Sequence, residues 1–231
     1  MPVTCTNLTA GATTGNISSM SSASITLVAN SLATVWLFSS PSTPNVTVTG
    51  LGATWTLETR VTDTARSFAL YSSQIAASTG PGALDFTTAG TTWTGLIHVV
   101  NSATGIDTTD AIVQVVTTNA ASVSTLTITL AAFGNANNVP MFGAGRTTDV
   151  LGDVELGYTE LNDHTYATPN TSFLSGWSDA LESTPSATWA TLSNTVAIGI
   201  EVAATAAGGV THKQRIAPIA QRRICGQQRC I

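Results

Sequence analysis

The sequence predicts an all-β protein, a single antiparallel β-sandwich of the jelly-roll type with an extended C-terminal arm. Three observations support this prediction. Short segments rich in Thr and Val alternate polar and apolar residues, turn-forming sequences separate these segments, and helical periodicity is scarce.

The alternating segments are typical of half-buried strands. In "STLTITL", Leu126, Ile128 and Leu130 face one way and the intervening threonines face the other. Thr and Val are β-branched, and they favour the pleated surface of a sheet because their side chains are stiff at χ1. The same pattern predicts further strands at residues 23–29, 34–39, 46–50, 54–61, 67–72, 92–100, 111–118 and 195–204.

Turn sequences rich in Gly, Pro and Asn separate the predicted strands, among them "SSPSTPN", "STGPGA" and "GNANN". Their spacing is typical of antiparallel hairpins. So many strands can bury their apolar faces only if two sheets stack on each other, and this is the reason for predicting a sandwich.

The charge distribution divides the chain into a predicted sandwich domain, residues 1–205, and a basic arm, residues 206–231. The domain holds three Arg against thirteen Asp and Glu, a net charge of −10, whereas the arm holds five basic residues and no acidic one. We expect the arm to bind an acidic partner, since arginine donates paired hydrogen bonds to carboxylates; a functionless end is the alternative. The predicted partner-binding residues are Lys213, Arg215, Arg222, Arg223 and Arg229.

Ionised side chains are scarce: they make up 9% of the residues, against roughly 25% in ordinary soluble domains. Hydroxyl and amide groups must therefore hydrate most of the surface. Nucleic-acid binding by the negative domain is disfavoured, because phosphate contacts need clustered Lys and Arg. The chain shows neither a secretion signal nor an apolar run of membrane-spanning length. We expect a protein made in the host cytoplasm and released within a particle, or a mature chain whose leader has been removed.

The three cysteines, Cys5, Cys225 and Cys230, lie near the two ends of the chain. Three cysteines cannot all pair within one chain, and their spacing matches neither a zinc site nor a redox pair. The alternatives are free thiols, or a terminal or intermolecular disulfide that involves these residues.

Candidate catalytic residues are few, because the domain contains only two histidines, His98 and His164. His98 lies in a predicted strand on the same face as Leu96 and Val100, and we interpret it as a hydrogen-bonded structural residue. No nucleophile elbow, metalloprotease motif or phosphate loop is present. The sequence therefore predicts no catalytic residue and no cofactor.

The densest polar cluster spans residues 149–164. Asp149, Asp153 and Glu155 could supply oxygens to a calcium ion, although their spacing does not fit an EF-hand. A solvated acidic loop without metal is the alternative interpretation, as is a pair of carboxylates for glycoside hydrolysis.

Five tryptophans raise the hypothesis of sugar binding. Strand parity directs Trp55 to the side of Leu57, and Trp93 to the side of Ile97 and Val99, which we predict to be core sides. Trp36 lies in an apolar run and Trp189 in a short strand-like segment, so core positions are predicted for both. Trp177 is surrounded by turn formers, so it is the candidate for an exposed, glycan-contacting ring.

Four segments, "STLTITLAAFGNANN", "GYTELND", "TPSATW" and "VAIGIEVAA", resemble recurrent segments of β-rich proteins encoded among the structural genes of tailed bacteriophages and prophages. The resemblance extends over residues 54–204 and carries no catalytic residue. It implies a virion-associated β-sandwich, such as a head decoration protein, a cement protein or part of a tail fibre.

Together these features predict a non-enzymatic virion structural protein that packs against copies of itself, for example as a trimer, and docks on other virion proteins through its arm. Low charge suits close packing, because repulsion between neighbouring copies grows with their charge. A carbohydrate-binding jelly-roll module of a tail fibre or cell-surface adhesin is the alternative, and an enzyme acting on glycans ranks third.

Overall fold

The computed structural model describes residues 2–40, 46–63, 65–168 and 170–205. These residues form fourteen β-strands, paired in antiparallel fashion, and no helix. The described part of the chain accordingly holds no helix that is long and apolar enough to cross a membrane. The all-β class and the antiparallel sandwich are confirmed.

The first half of the chain forms a five-stranded sheet, here called the central sheet. Its strands, in spatial order, are β1 (Thr4–Ile17), β8 (Trp93–Thr104), β3 (Ser31–Ser40), β6 (Ser67–Ile75) and β5 (Thr56–Thr62). A small third sheet from the same half of the chain consists of β2 (Ser19–Ser21), β7 (Asp85–Thr88) and β4 (Val46–Thr49).

The second half of the chain forms a six-stranded sheet. Five strands lie side by side in the order β12 (Thr159–Ala167), β13 (Asn170–Trp177), β10 (Val139–Arg146), β14 (Ser186–Val202) and β9 (Ile112–Thr127). The sixth, β11 (Gly152–Val154), pairs with the first residues of β14. β12 contacts β1 and β9 contacts β5, so the two large sheets are aligned edge over edge.

The strand order differs in detail from that of an eight-stranded jelly roll, while the two stacked antiparallel sheets are as predicted. A jelly roll has eight strands arranged as two Greek keys, whereas each large sheet here comes from one continuous half of the chain. The sequence pattern predicts that strands alternate in polarity, but it does not specify which strands pair.

The main core lies between the central and six-stranded sheets. Aromatic rings from the central sheet, including Trp36, Phe38 and Phe68, project towards β10. There Gly143 and Gly145 leave room for them: a Cβ on Gly143 would lie 2.9 Å from Trp36 and from Phe68, and one on Gly145 would lie 2.5 Å from Phe38. The glycines therefore allow the two sheets to approach closely.

The central sheet is buried on both faces. Val35, Leu37 and Leu96 point away from the main core and pack under the third sheet, against Leu84 and Phe86. All ten residues of β3 are buried as a consequence. The predicted half-buried alternation therefore fails for β3, because a second layer covers the face that was expected to meet water.

The outer face of the six-stranded sheet is also covered. β9 and β14 fold back over it, so that Ile128 lies against Gly199 and Trp189 lies over Arg146. Phe142, Leu174 and Ala197 form a third apolar cluster beneath this cover. Here the predicted alternation is confirmed, because Leu126, Ile128 and Leu130 are buried and Thr125, Thr127 and Thr129 are exposed.

Most predicted strands are present, with bounds that differ by several residues. Residues 23–29 are an exception, since they form only an isolated bridge between Ile25 and Gly82. β1, β2, β7, β10, β11, β12 and β13 were not predicted. Several of these strands contain Gly, Asn or Asp, which weaken a strand pattern even where tertiary pairing is extensive.

The end of β14 is fixed by a buried polar network. The carboxylate of Glu201 accepts hydrogen bonds from Asn138 Nδ2 and from Gln114 Nε2, each at 2.6 Å. The Oε1 atom of Gln114 also accepts a hydrogen bond from the backbone N–H of Ala131 at 2.8 Å. Beyond the strand, Thr205 N–H donates to the carbonyl of Gly105 at 2.9 Å. The predicted arm, residues 206–231, lies outside the described residues.

Candidate functional site: an acidic outer layer

The most distinctive surface lies on the cover over the six-stranded sheet. We call residues 147–158 and 178–194 the outer layer. Three polar contacts connect its two segments. The Glu155 carboxylate accepts hydrogen bonds from the N–H and the Oγ of Ser186, both at 2.9 Å. Tyr158 Oη donates to the carbonyl of Glu182 at 3.0 Å, and Ser178 Oγ donates to the carbonyl of Gly157 at 2.9 Å. These bonds give the outer layer a defined conformation.

Four leucines of the outer layer are exposed. Their exposed fractions range from 54% for Leu181 to complete exposure for Leu156, with Leu151 and Leu192 between them. Single exposed leucines are common on soluble proteins, whereas four within two short segments are a candidate for contact with another surface.

Carboxylates are frequent in the same segments of the chain. Seven of the thirteen acidic residues fall between Asp149 and Glu182, and no Lys or Arg occurs from residue 147 to 205. We call the following set the acidic surface: Asp149, Asp153, Glu155, Glu160, Asp163, Asp179 and Glu182, with the four leucines.

Electrostatic repulsion within the acidic surface shows in two carboxyl groups of β12. The pKa of Asp163 is raised to about 6, mainly by burial and in part by the nearby Glu160 and Asp153, while the N–H of Gly152, 2.8 Å from Oδ2, opposes the shift. Burial also raises the pKa of Glu160, and Asp153 adds to this effect. These three carboxyls are thus close enough to interact, and a basic partner would relieve their repulsion.

The structure does not bring Asp149, Asp153 and Glu155 together as calcium ligands. Both carboxylate oxygens of Glu155 are used by Ser186, and Asp149 and Asp153 are exposed. Within the described ranges no three His, Cys, Asp or Glu side chains form a group that could hold a metal ion. The alternative interpretation as a solvated loop is also wrong in part, because residues 152–154 and 159–167 are strands.

A buried arginine lies beneath the outer layer. Arg146 has no exposed surface, its Nη2 donates to the carbonyl of Thr191 at 2.7 Å, and its guanidinium carbon lies 4.7 Å from the centre of the Trp189 ring. Nε and Nη1 have no hydrogen-bond acceptor among the described residues. Burial lowers the pKa of Arg146. The Trp189 ring therefore makes a cation–π contact with the buried guanidinium.

The two histidines within the described residues, His98 and His164, lie in β8 and β12. His98 is 2% exposed, shares a face with Leu96 and Val100 as predicted, and lies 5.0 Å from Phe86 between ring centres. The predicted hydrogen bonding is wrong within the described residues, where neither ring nitrogen has a partner. Burial lowers the pKa of His98 to about 4, and His164 adds to the shift. His164 stacks on Tyr166.

The tryptophans follow the parity argument only in part. Trp36 and Trp189 are buried as predicted and Trp55 is partly buried, but Leu57 is 47% exposed, so the predicted core side of that strand is wrong at Leu57. Trp93 is buried, yet it packs in the cluster of Leu96 rather than that of Ile97.

Trp177 is not the freely exposed ring that was expected. It is the last residue of β13, it is partly buried against the main core, and its Nε1 atom is inaccessible to solvent. The turn-forming residues around Trp177 indicated a turn, whereas the structure has the end of a strand there. Trp177 therefore offers less of its ring to a glycan than the sequence implied.

Cys5 lies in the main core, although it is near the start of the sequence. It pairs with Ala103 in the central sheet, is 4% exposed and carries a free thiol, whose pKa is raised by burial. A disulfide to Cys5 would require β1 to move. Cys225 and Cys230 lie outside the described residues, as do the predicted partner-binding residues Lys213, Arg215, Arg222, Arg223 and Arg229.

An open groove of about 590 Å³ lies on the other side of the molecule. Main-chain and hydroxyl groups near Gly52, Thr56 and Ser72 line it, with the carboxylate of Glu58 bonded to Ser72.

Comparisons with known proteins give no match. Neither protein-family models, nor curated proteins, nor solved structures resemble this chain. The function must therefore be argued from the molecule itself.

Sequence reasoning found the acidic segment but missed the exposed leucines and the buried arginine. A signal for the leucines was present, because "DVLGDVELGY" interleaves leucine with carboxylates over a span without a basic residue. Arg146 gave no such signal, since its burial depends on the fold-back of β14 over β10.

Proposed function

We propose that this chain is a non-enzymatic structural protein of a phage particle, most simply a capsid decoration or cement protein or a tail-associated protein. The observation that carries the proposal is the set of four exposed leucines on the ordered outer layer. A surface of this kind is suited to permanent contact with another protein.

The rest of the surface supports the same role. Charged residues are 9% of the chain, so copies crowded into an array repel one another weakly. Extensive strand pairing and three apolar clusters make the body rigid, as a building block requires. In the particle, the outer layer packs against a further copy or another virion protein, and the basic arm attaches to a neighbour.

Incorporation into particles tests this role. Leu156→Ser with Leu181→Ser should reduce the number of copies in purified particles, measured by quantitative mass spectrometry. Leu57→Ser is the matched control, because Leu57 is 47% exposed on a different sheet. Equal occupancy for all three chains, or absence of the wild-type chain from particles, contradicts the proposal.

The arm is tested separately by replacing its five basic residues with glutamine in the full chain. We expect this variant to remain folded and to be lost from particles. Wild-type occupancy of the variant would show that attachment does not need the basic arm.

The carbohydrate-binding alternative has less support, because Trp177 is partly buried. Glycan-array binding that is abolished by Trp177→Ala would favour that alternative over a structural role.

A further inference from the structure

The basic arm has a complementary surface on its own subunit. The arm carries Lys213 and four arginines together with four isoleucines, at positions 216, 219, 224 and 231. The acidic surface carries seven carboxylates and four exposed leucines. Both the charges and the apolar side chains therefore match, and no described basic residue competes for the carboxylates from position 147 onwards.

The last strand before the arm is connected to the outer layer. Glu201 bonds Gln114, and Gln114 bonds Ala131. The neighbouring Leu130 N–H donates to the carbonyl of Ser183 at 2.8 Å. A short series of contacts thus connects the last strand before the arm to the residue that follows Glu182.

The length of the arm is sufficient. Lys213 follows Thr205 by eight residues, a reach of up to about 28 Å at roughly 3.5 Å per residue. An arm attached beside its binding surface also has a high effective concentration there, which favours its own subunit over a second copy.

We propose that, in the free chain, the arm docks across the acidic surface of its own subunit, with its basic groups on the carboxylates and its isoleucines on the exposed leucines. This goes beyond the structural role proposed above and does not depend on it. Arm docking and packing in a particle use the same surface, so the two states exclude each other. The docked arm would keep free copies from associating before assembly.

The raised pKa values of Asp163 and Glu160 agree with such an acceptor. Their carboxyls are held near one another in the absence of a cation, and a docked basic group would favour their ionised forms.

Lys213 provides a direct test, because it is the only lysine in the chain. A water-soluble carbodiimide joins a lysine amine to a carboxylate in direct contact, so peptide mass spectrometry of the treated full chain identifies the carboxylate next to Lys213. We expect amide links from Lys213 to Asp179 or Glu182, and loss of these links in high salt, since salt screens exposed charge pairs.

Variants and isotope labelling make the test specific. Asp179→Asn with Glu182→Gln should lower the total yield of Lys213 links about fivefold, as expected for the loss of two surface ion pairs. Asp85→Asn, an exposed carboxylate on the third sheet, is the matched control and should leave the yield unchanged. An equal mixture of ¹⁵N-labelled and unlabelled chains separates links within a chain from links between chains.

Three outcomes would overturn the inference. These are links from Lys213 to carboxylates outside the acidic surface, links found only between labelled and unlabelled chains, and no link at all. None of them bears on particle incorporation, so failure of this inference and failure of the proposed function are distinguishable.

Discussion

The guanidinium of Arg146 lies 4.7 Å from the ring of Trp189, across the fold-back that places the start of β14 over β10. Arg146 is fully buried and has no carboxylate partner among the described residues. Arginine is rarely buried without a partner, because removing its charge from water is costly. The contact with Trp189 thus links a buried charge to the closure of the outer layer.

A double-mutant cycle on this pair measures the link. With Arg146→Met and Trp189→Leu, alone and combined, we expect a coupling free energy of about 1 to 2 kcal/mol, as for a desolvated cation–π contact. Urea unfolding of the four chains gives this value. Effects that add to within about 0.3 kcal/mol would show that the ring does not stabilise the charge.

Gly143 tests the packing of the two large sheets. Gly143→Ala should destabilise the protein by about 2 kcal/mol, because the new methyl group would lie 2.9 Å from Trp36, Phe68 and Phe173. Gly134→Ala is the control, since nothing lies within 4 Å of its Cβ position, and it should change stability by less than about 1 kcal/mol. Thermal unfolding of both variants compares them; similar melting temperatures would contradict the close approach of the sheets.

The lowered pKa of His98 should make the protein less stable in acid. Burial lowers its pKa from 6.5 to about 4, so between these values the unfolded chain binds a proton that the native chain does not. This group therefore stabilises the fold fully above pH 6.5, and that contribution falls by about 3 kcal/mol as the pH drops towards 4.

The raised pKa of Asp163 has the opposite effect on the pH dependence of stability. Its native carboxyl binds a proton at a higher pH than in the unfolded chain, so it favours folding as the pH falls through about 6. Comparing wild type with His98→Leu at each pH removes this shared contribution. We expect the stability of His98→Leu to fall less between pH 7 and pH 4. Parallel pH profiles would mean that the pKa of His98 is not lowered in the native state.

Glu201 tests the polar network at the end of β14. Glu201→Ala removes the acceptor of the buried Asn138 amide and one of the two acceptors of Gln114 Nε2, and a buried donor without a partner should cost about 2 kcal/mol. Asp153→Ala, which removes an exposed carboxylate, should change stability by less than about 0.5 kcal/mol. Denaturant midpoints check both values; equal midpoints would show that the network does not fix the strand.

The fold class could be predicted from the sequence because period-two alternation is a local property. Leu126, Ile128 and Leu130 lie on one side of their segment whatever strand pairs with it. The sheet topology could not be predicted, since pairing of β1 with β8 joins residues about ninety positions apart through Thr, Ala and Gly that could fit many partners.

The candidate site was predicted only in its composition. The carboxylates of residues 149–164 were evident, but their grouping with Asp179, Glu182 and the exposed leucines follows from the fold-back at residues 190–194. Trp177 shows the converse error. Ser and Gly around it indicated a turn, yet pairing with Met141 and Thr159 makes it a strand end.

The division of the chain into two contiguous sheets also affects synthesis on the ribosome. All five strands of the central sheet lie before residue 105, and β9 begins at Ile112. The nascent first half can thus complete its hydrogen-bond ladders while Trp36, Phe38 and Phe68 still lack the second half that covers them. At roughly 5 to 20 residues per second this interval lasts on the order of 5 to 20 s, and during it chaperones have their main opportunity to protect the chain.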